Sequence, residues 1–180
     1  LFDEAIDVAD LFLGHGEIVS ERGRNNSNIR RFHARPGDVS NGKPLIVLID
    51  PGSASASQIL AGALKDHRRA LVIGERSFGK GLVQSLLPMT PTTALRLSTG
   101  LYYTPSGHSV QEKGIEPNIV VPQLSGGDSR GLPRMREANI RRHLLSQPNA
   151  DDEIIMSDER LDPRFAVTAE ELKKKAIDDY

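Results

Sequence analysis

Two periods organise the apolar positions over residues 1–122, and the pattern fades after them. Residues 1–14 set Ile6, Val8, Ala9, Leu11, Phe12 and Leu13 in an amphipathic helical pattern that stops at Gly14. A short strand is expected at Glu17–Ser20. Residues 21–43, rich in Arg, Asn, Gly and Ser, form a polar excursion around a strand near Ile29–His33. Pro44 introduces the unbroken apolar run Leu45–Ile49, ending at Asp50, which reads as a buried strand. A helix over 54–66 carries Ile59, Leu60, Ala63 and Leu64 at helical spacing, and Ala70–Ile73, closed by Gly74, is a second buried strand. Leu82–Leu87 and Ala94–Tyr103 flank a Pro88–Pro91 turn and predict a hairpin. Ile115–Val121 is the last strand. A strand–helix–strand unit beside hairpins predicts a mixed α/β fold.

Beyond Pro122 large apolar side chains become sparse. Residues 134–146 hold a helical pattern through Met135, Ala138, Ile140 and Leu144. Gln147–Asp162 is acidic, and Thr168-Ala169-Glu170-Glu171 is a capping box for a helix over 169–178. The expected division is therefore a core over 1–122 and a polar C-terminal extension over 123–180, partly helical or disordered.

Composition narrows the function classes. Of 180 residues, 38% are hydrophobic and 26% charged, with a net charge of −1, so nothing favours nucleic acid or an acidic membrane surface as partner. No stretch approaches the roughly 18 apolar residues of a membrane span. The chain has no cysteine, which excludes disulfides, thiolate metal sites and a cysteine nucleophile. Five histidines (His15, His33, His67, His108 and His143) show no metal-ligand spacing, and no metal or cofactor is expected. The chain opens inside a helical pattern, so a preceding segment is expected, and any signal peptide or anchor would belong to it.

The chemistry concentrates in Gly52-Ser53-Ala54-Ser55-Ala56-Ser57, small residues delivered by a strand into a helix start, and in Phe78-Gly79-Lys80-Gly81. A helix N-terminus presents free N–H groups to an oxyanion. Ser55, with alanine on both sides in the first turn, is the candidate nucleophile, while Ser53 reads as the N-cap and Ser57 as interior-facing. Lys80 is the candidate base. A free lysine titrates near ~10.4, so base catalysis near neutrality asks for about 4–5 kcal/mol against the charged form. Desolvation by Phe78, Leu82 and Val83 is the expected source. Gln84, four residues on, is able to orient the amine without adding a charge. The bland alternative stands beside each: serines that cap and pack a tight turn, an exposed lysine between glycines, a strand glutamine. Asp66 shares a helix face with Ser55 but lies roughly 16 Å along it, so its role is structural, fixing the helix end against Arg68, Arg69 or a neighbouring loop. Gly74-Glu75-Arg76-Ser77-Phe78-Gly79-Lys80 copies phosphate-loop spacing, yet Gly81 replaces the hydroxyl residue that holds magnesium. His108 is an alternative base for Ser55, though a loop role suits it better.

In order and spacing, these segments resemble the carboxyl-terminal processing proteases, the tail-specific serine peptidases. The likeness runs through Asp50–Ser57, Ala61–Asp66, Arg69–Glu75, Ser77–Gln84, Tyr102–Gly107 and Lys113–Pro122. It implies a mixed α/β crotonase/Clp-protease-like core in which Ser55 is the nucleophile, Lys80 the general base and Gln84 its orienting glutamine. The Ala56 N–H would be one oxyanion donor. The other donor, from a Gly-Gly turn, and the PDZ domain that captures substrate C-termini would both lie upstream, so the fragment alone is expected to be inactive or impaired. The family's aspartate falls on Asp66, and His108 stands where arginine is usual. The resemblance implies unfolded or tagged protein tails as substrates, a bacterial periplasmic or inner-membrane-tethered location, and admits a homo-oligomer. The competing reading is a non-catalytic peptide-binding module on the same fold.

Overall fold

The computed structural model describes residues 2–23, 28–122 and 135–140. Helix α1 spans Phe2–Asp10, with Asp3 and Glu4 in its first turn where they complement the helix dipole. It ends sooner than its apolar pattern, because the chain turns after Asp10 to bring Leu13 into full burial. Strands β1 (Glu17–Gly23) and β2 (Ile29–His33) pair antiparallel, and β1 also pairs antiparallel with β6 (Thr93–Tyr103). Strands β5 (Leu82–Thr90) and β6 (Thr93–Tyr103) form the expected hairpin, giving a four-stranded antiparallel sheet ordered β2-β1-β6-β5.

The turn falls later than Pro88 suggests. Strand β5 runs through Pro88 to Thr90, with a register shift between those two residues. Proline has no N–H to give a ladder, and it is tolerated here because β5 is an edge strand with an irregularity at that point.

The second sheet is parallel and ordered β3-β4-β7, with β3 at Leu45–Ile49, β4 at Ala70–Gly74 and β7 at Ile119–Val120. Helix α2 (Ala56–Asp66) joins β3 to β4. The mixed α/β architecture is thus distributed over one antiparallel and one parallel sheet. Strand β3 is less covered than its unbroken apolar run implies: Ile49 is buried, but Ile46 and Leu48 are 60% and 76% exposed. As an edge strand it presents one face that nothing among the described residues covers. Strand β7 is shorter than 115–121 because side chains take its ladder bonds. The Ile115 N–H donates to the Ser77 hydroxyl at 2.7 Å, and the Val72 N–H donates to Asn118 Oδ1 at 2.9 Å.

The core gathers Ala5, Ala9 and Leu13 from the α1 region, Ile18 and Val19 from β1, and Ile59, Ala63 and Leu64 from α2. Val72, Tyr102, Val110 and Ile115 complete it. Of the helix expected over 134–146, a single 3₁₀ turn at Glu137–Asn139 is described. Arg136 and Ile140 on either side of it are extended rather than helical, while residues 134 and 141–146, Gln147–Asp162 and the helix over 169–178 lie outside the described residues.

Candidate active site

A tight turn leads from β3 into α2. The Ser53 N–H donates to the Asp50 carbonyl at 3.0 Å, and the Ser53 hydroxyl donates to Asp50 Oδ1 at 2.9 Å. Ser53 is therefore consumed by the turn, and the N-cap position expected of it belongs to Ser55. Ser57 is exposed, not interior, and its hydroxyl donates to the Ala54 carbonyl at 2.8 Å. Both corrections follow from α2 starting at Ala56 rather than at Ala54.

Ser55 sits at φ 55° and ψ −115°. That conformation belongs to the first central residue of a type II′ turn, where glycine is usual. A side chain held there costs on the order of 1–3 kcal/mol and persists only when its surroundings over-determine it. They do. The Ser55 carbonyl accepts from the Gln58 and Ile59 N–H groups at 2.9 and 3.2 Å. The Ser55 N–H donates to Gln58 Oε1 at 2.9 Å, the return half of a capping box. The Ala56 N–H, first in the helix, donates to no acceptor among the described residues, as the geometry of a helix start dictates.

The same groups hold the segment of Lys80. The Phe78 N–H donates to the Ser53 carbonyl at 2.9 Å. The Lys80 N–H donates at 3.1 Å to Gln58 Oε1, the oxygen that already holds Ser55. Gln58 is fully buried, and its Nε2 donates to the buried Ser77 hydroxyl at 2.6 Å. From β6, the Tyr102 hydroxyl reaches the Ser55 carbonyl at 3.1 Å and also the Lys80 carbonyl. Burial pushes the Tyr102 phenol far above its ordinary range, against the smaller opposing effect of its bond to Ser55. It stays a donor.

Glycines let this segment come close. Gly79 has φ 97°, and a Cβ at Gly81 would lie 2.5 Å from the Gln111 backbone nitrogen. Lys80 itself is half-buried, as are Phe78, Leu82 and Val83. No hydrogen bond joins the Lys80 amine to the Ser55 hydroxyl in this structure. Gln84 is exposed on β5, opposite Ser98, and makes no side-chain hydrogen bond among the described residues. A strand follows Lys80 directly, so the phosphate-loop spacing at 74–80 lacks the helix it needs.

Asp66 is at the other end of α2. Its Oδ2 accepts from the Ser106 N–H at 2.9 Å and from the Ser106 hydroxyl at 2.6 Å, fixing the helix end to the loop after β6. The partner is thus the neighbouring loop rather than Arg68 or Arg69. His108 is exposed, with Nδ1 at 2.7 Å from the same hydroxyl, which takes it away from Ser55. A cavity of about 370 Å³ opens here, lined by Lys65, Asp66, Thr104, His108, Lys113 and Glu116 among others. Burial lowers the Lys65 ammonium from its ordinary value, with Asp66 opposing. This cavity lies at the far end of α2 from Ser55 and is not the serine's cleft. No cluster of metal-ligating side chains occurs among the described residues.

Sequence spacing missed Gln58, Ser77, Tyr102 and Gln111. Only Gln58 carried a readable signal: it stands three residues after Ser55, as the glutamine of a capping box does.

A strand that delivers a strained serine into a helix start is an arrangement that serine-type hydrolases also use. Residues 1–121 match the model of Peptidase family S41, and the chain belongs to that family. The carboxy-terminal-processing protease of Bartonella bacilliformis is 52% identical over 152 residues, 84% of this chain and 35% of that protein. The carboxyl-terminal-processing protease of Synechocystis sp. is 41% identical over 123 residues, 68% of this chain and 28% of that protein. Among solved structures, a photosystem II D1 C-terminal processing protease matches with a TM-score of 0.63 at 34% identity, over 68% of this chain and 31% of that one. The chain spans about a third of the length of the curated relatives it matches.

Proposed function

We propose that the protein carrying this chain is a serine endopeptidase that cleaves protein substrates near or from their C-termini. Ser55 is its nucleophile and Lys80 its general base. What supports the pairing is one relationship: the backbones of Ser55 and Lys80 are held by a single oxygen, that of buried Gln58. Two segments distant in sequence are registered against each other there.

The reaction is acyl transfer. The uncharged Lys80 amine takes the Ser55 proton as Oγ attacks a peptide carbonyl carbon. The Ala56 N–H donates to the developing oxyanion, a task suited to an unused N–H at a helix start. The lysine then gives its proton to the departing amine, and water activated by the same lysine hydrolyses the acyl-enzyme. Gln84 orients the amine, and Asp66 holds the loop at Ser106 without entering the chemistry. Residues 1–122 are the catalytic core and 123–180 an extension. A preceding part of the same protein supplies the second oxyanion donor and a PDZ domain that captures unfolded or tagged C-terminal segments by strand addition. No cofactor or nucleic acid is required. The enzyme works in the bacterial periplasm or tethered to the inner membrane, and self-association is open to it.

The test uses the complete protein with an unfolded protein substrate, beside Ser55→Ala and Lys80→Ala. Each variant is expected to lower kcat by about a thousandfold or more. Cleavage at the parental rate by both variants overturns the assignment.

A further inference from the structure

Glu137 is remote from Ser55 in sequence and is 8% exposed in the 3₁₀ turn at Glu137–Asn139. Its N–H reaches Phe78, two residues before Lys80, and its carboxylate reaches Gly81, the residue after Lys80, through Gln111. The Glu137 N–H donates to the Phe78 carbonyl at 3.1 Å. Its Oε1 accepts from Gln111 Nε2 at 3.3 Å, and Gln111 Oε1 accepts from the Gly81 N–H at 2.8 Å. Gln111 is fully buried. The preceding residue reinforces the contact, with Arg136 Nη2 donating to the carbonyls of Glu112 and Lys113 at 3.1 and 2.9 Å.

This relay has a direction. A carboxylate accepts hydrogen bonds and has none to give. It therefore draws the NH₂ end of the Gln111 amide toward itself and leaves the amide oxygen facing the Gly81 N–H. The opposite orientation would set two N–H groups against each other in a buried place, which is costly. The seat is also tight, since the Gly81 backbone is close enough to Gln111 to leave no room for a Cβ.

We infer that Glu137 is a positioning residue for Lys80: its carboxylate orients the Gln111 amide, which anchors the backbone just after the lysine and delivers it beside Ser55 in one conformation. The inference rests on the Ser–Lys reading above. Its contribution is preorganisation, and a misplacement of about 1 Å in such a site costs roughly a hundredfold in rate.

The experiment measures kcat and KM in the complete protein. Glu137→Leu is expected to lower kcat about ten- to hundredfold with KM within about twofold. Glu137→Gln keeps an acceptor oxygen and stays within about threefold of the parent. Gln111→Glu sets two carboxylates against each other and lowers kcat comparably. Adding Glu137→Gln to it restores most of the rate, because the amide at 137 then donates to the carboxylate at 111, which still accepts from Gly81. Parental kcat in Glu137→Leu, or a double variant no faster than Gln111→Glu alone, overturns the inference. The exchange pair decides the matter by itself if Glu137→Leu does not fold. Cleavage that survives Ser55→Ala sinks the Ser–Lys site itself. An inactive Ser55→Ala beside a fully active Glu137→Leu removes only the role of Glu137.

Discussion

Ser55 and Lys80 hang from one acceptor: the side-chain oxygen of Gln58 takes the N–H of the first at 2.9 Å and of the second at 3.1 Å. Because Gln58 belongs to the first turn of α2, the helix start that sets the serine also sets the lysine segment. Tyr102 closes the arrangement from the other side by reaching the carbonyls of the same two residues.

Replacing Gln58 with methionine keeps the volume but removes the shared acceptor. Two N–H groups at the site and the Ser77 hydroxyl each lose a partner. The Ser77 hydroxyl still accepts from the Ile115 N–H, so two N–H groups are left unsatisfied. At roughly 1–3 kcal/mol for each, Gln58→Met should lower unfolding free energy by about 2–6 kcal/mol, read by denaturant titration. Its kcat should fall even where the variant is fully folded. Parental stability and parental kcat together would show that the shared oxygen registers nothing.

Tyr102 predicts an alkaline limit. Its folded value is raised by burial, so the neutral phenol is the form that folding favours. The associated stability is fully present below the unfolded value near ~10 and is lost as pH climbs above it. Tyr102→Phe leaves the Lys80 carbonyl without this donor and should cost about 1–2 kcal/mol near neutrality. The parent should lose more stability than the Phe variant between about pH 8 and pH 11. Equal losses in both proteins would show that the phenol does not carry this linkage.

The elements that position the site were legible because each has a local signature. The helical spacing of Ile59, Ala63 and Leu64 marks α2, and the apolar run at 45–49 marks β3 even though Ile46 and Leu48 are exposed. The cap was misplaced by two residues, since alternating serines satisfy the same local rule. Only the Asp50–Ser53 bonds, which absorb Ser53, decide between them. The groups that join the serine to the lysine were not legible beyond the capping-box spacing of Gln58. Tyr102, Gln111 and Glu137 act through pairings distant in sequence, and a single sequence contains nothing that fixes such pairings. Strand β7 was overread for the same reason, because Ser77 and Asn118 side chains take bonds that an apolar pattern would give to a ladder.

Asp66 tests the division between structure and the proposed chemistry. Its carboxylate accepts two bonds from Ser106, and hydrogen bonds to a charged group contribute about 1.5–3 kcal/mol. Asp66→Ala should lower the unfolding free energy by about that amount. At a temperature where the variant stays folded, kcat should remain within about threefold of the parent. A thousandfold fall in kcat with unchanged stability would place Asp66 in the chemistry after all.

The strain at Ser55 sets stability against the activity proposed for it. Its φ of 55° and ψ of −115° are ordinary for glycine and unfavourable for any residue with a Cβ. Ser55→Ala removes the hydroxyl but keeps the Cβ, so it keeps the strain. Ser55→Gly removes both. Glycine also gains freedom in the unfolded chain, which offsets part of the relief by roughly 0.4–1 kcal/mol. The strain itself is on the order of 1–3 kcal/mol, so relief should win. The glycine variant is then expected to unfold at higher temperature than the alanine variant, by about 1 kcal/mol of stability, while both fail to cleave substrate. Calorimetry on the two variants reads the difference directly. A glycine variant less stable than the alanine variant would mean that the turn accommodates a Cβ without penalty, and that the serine's placement costs the fold nothing.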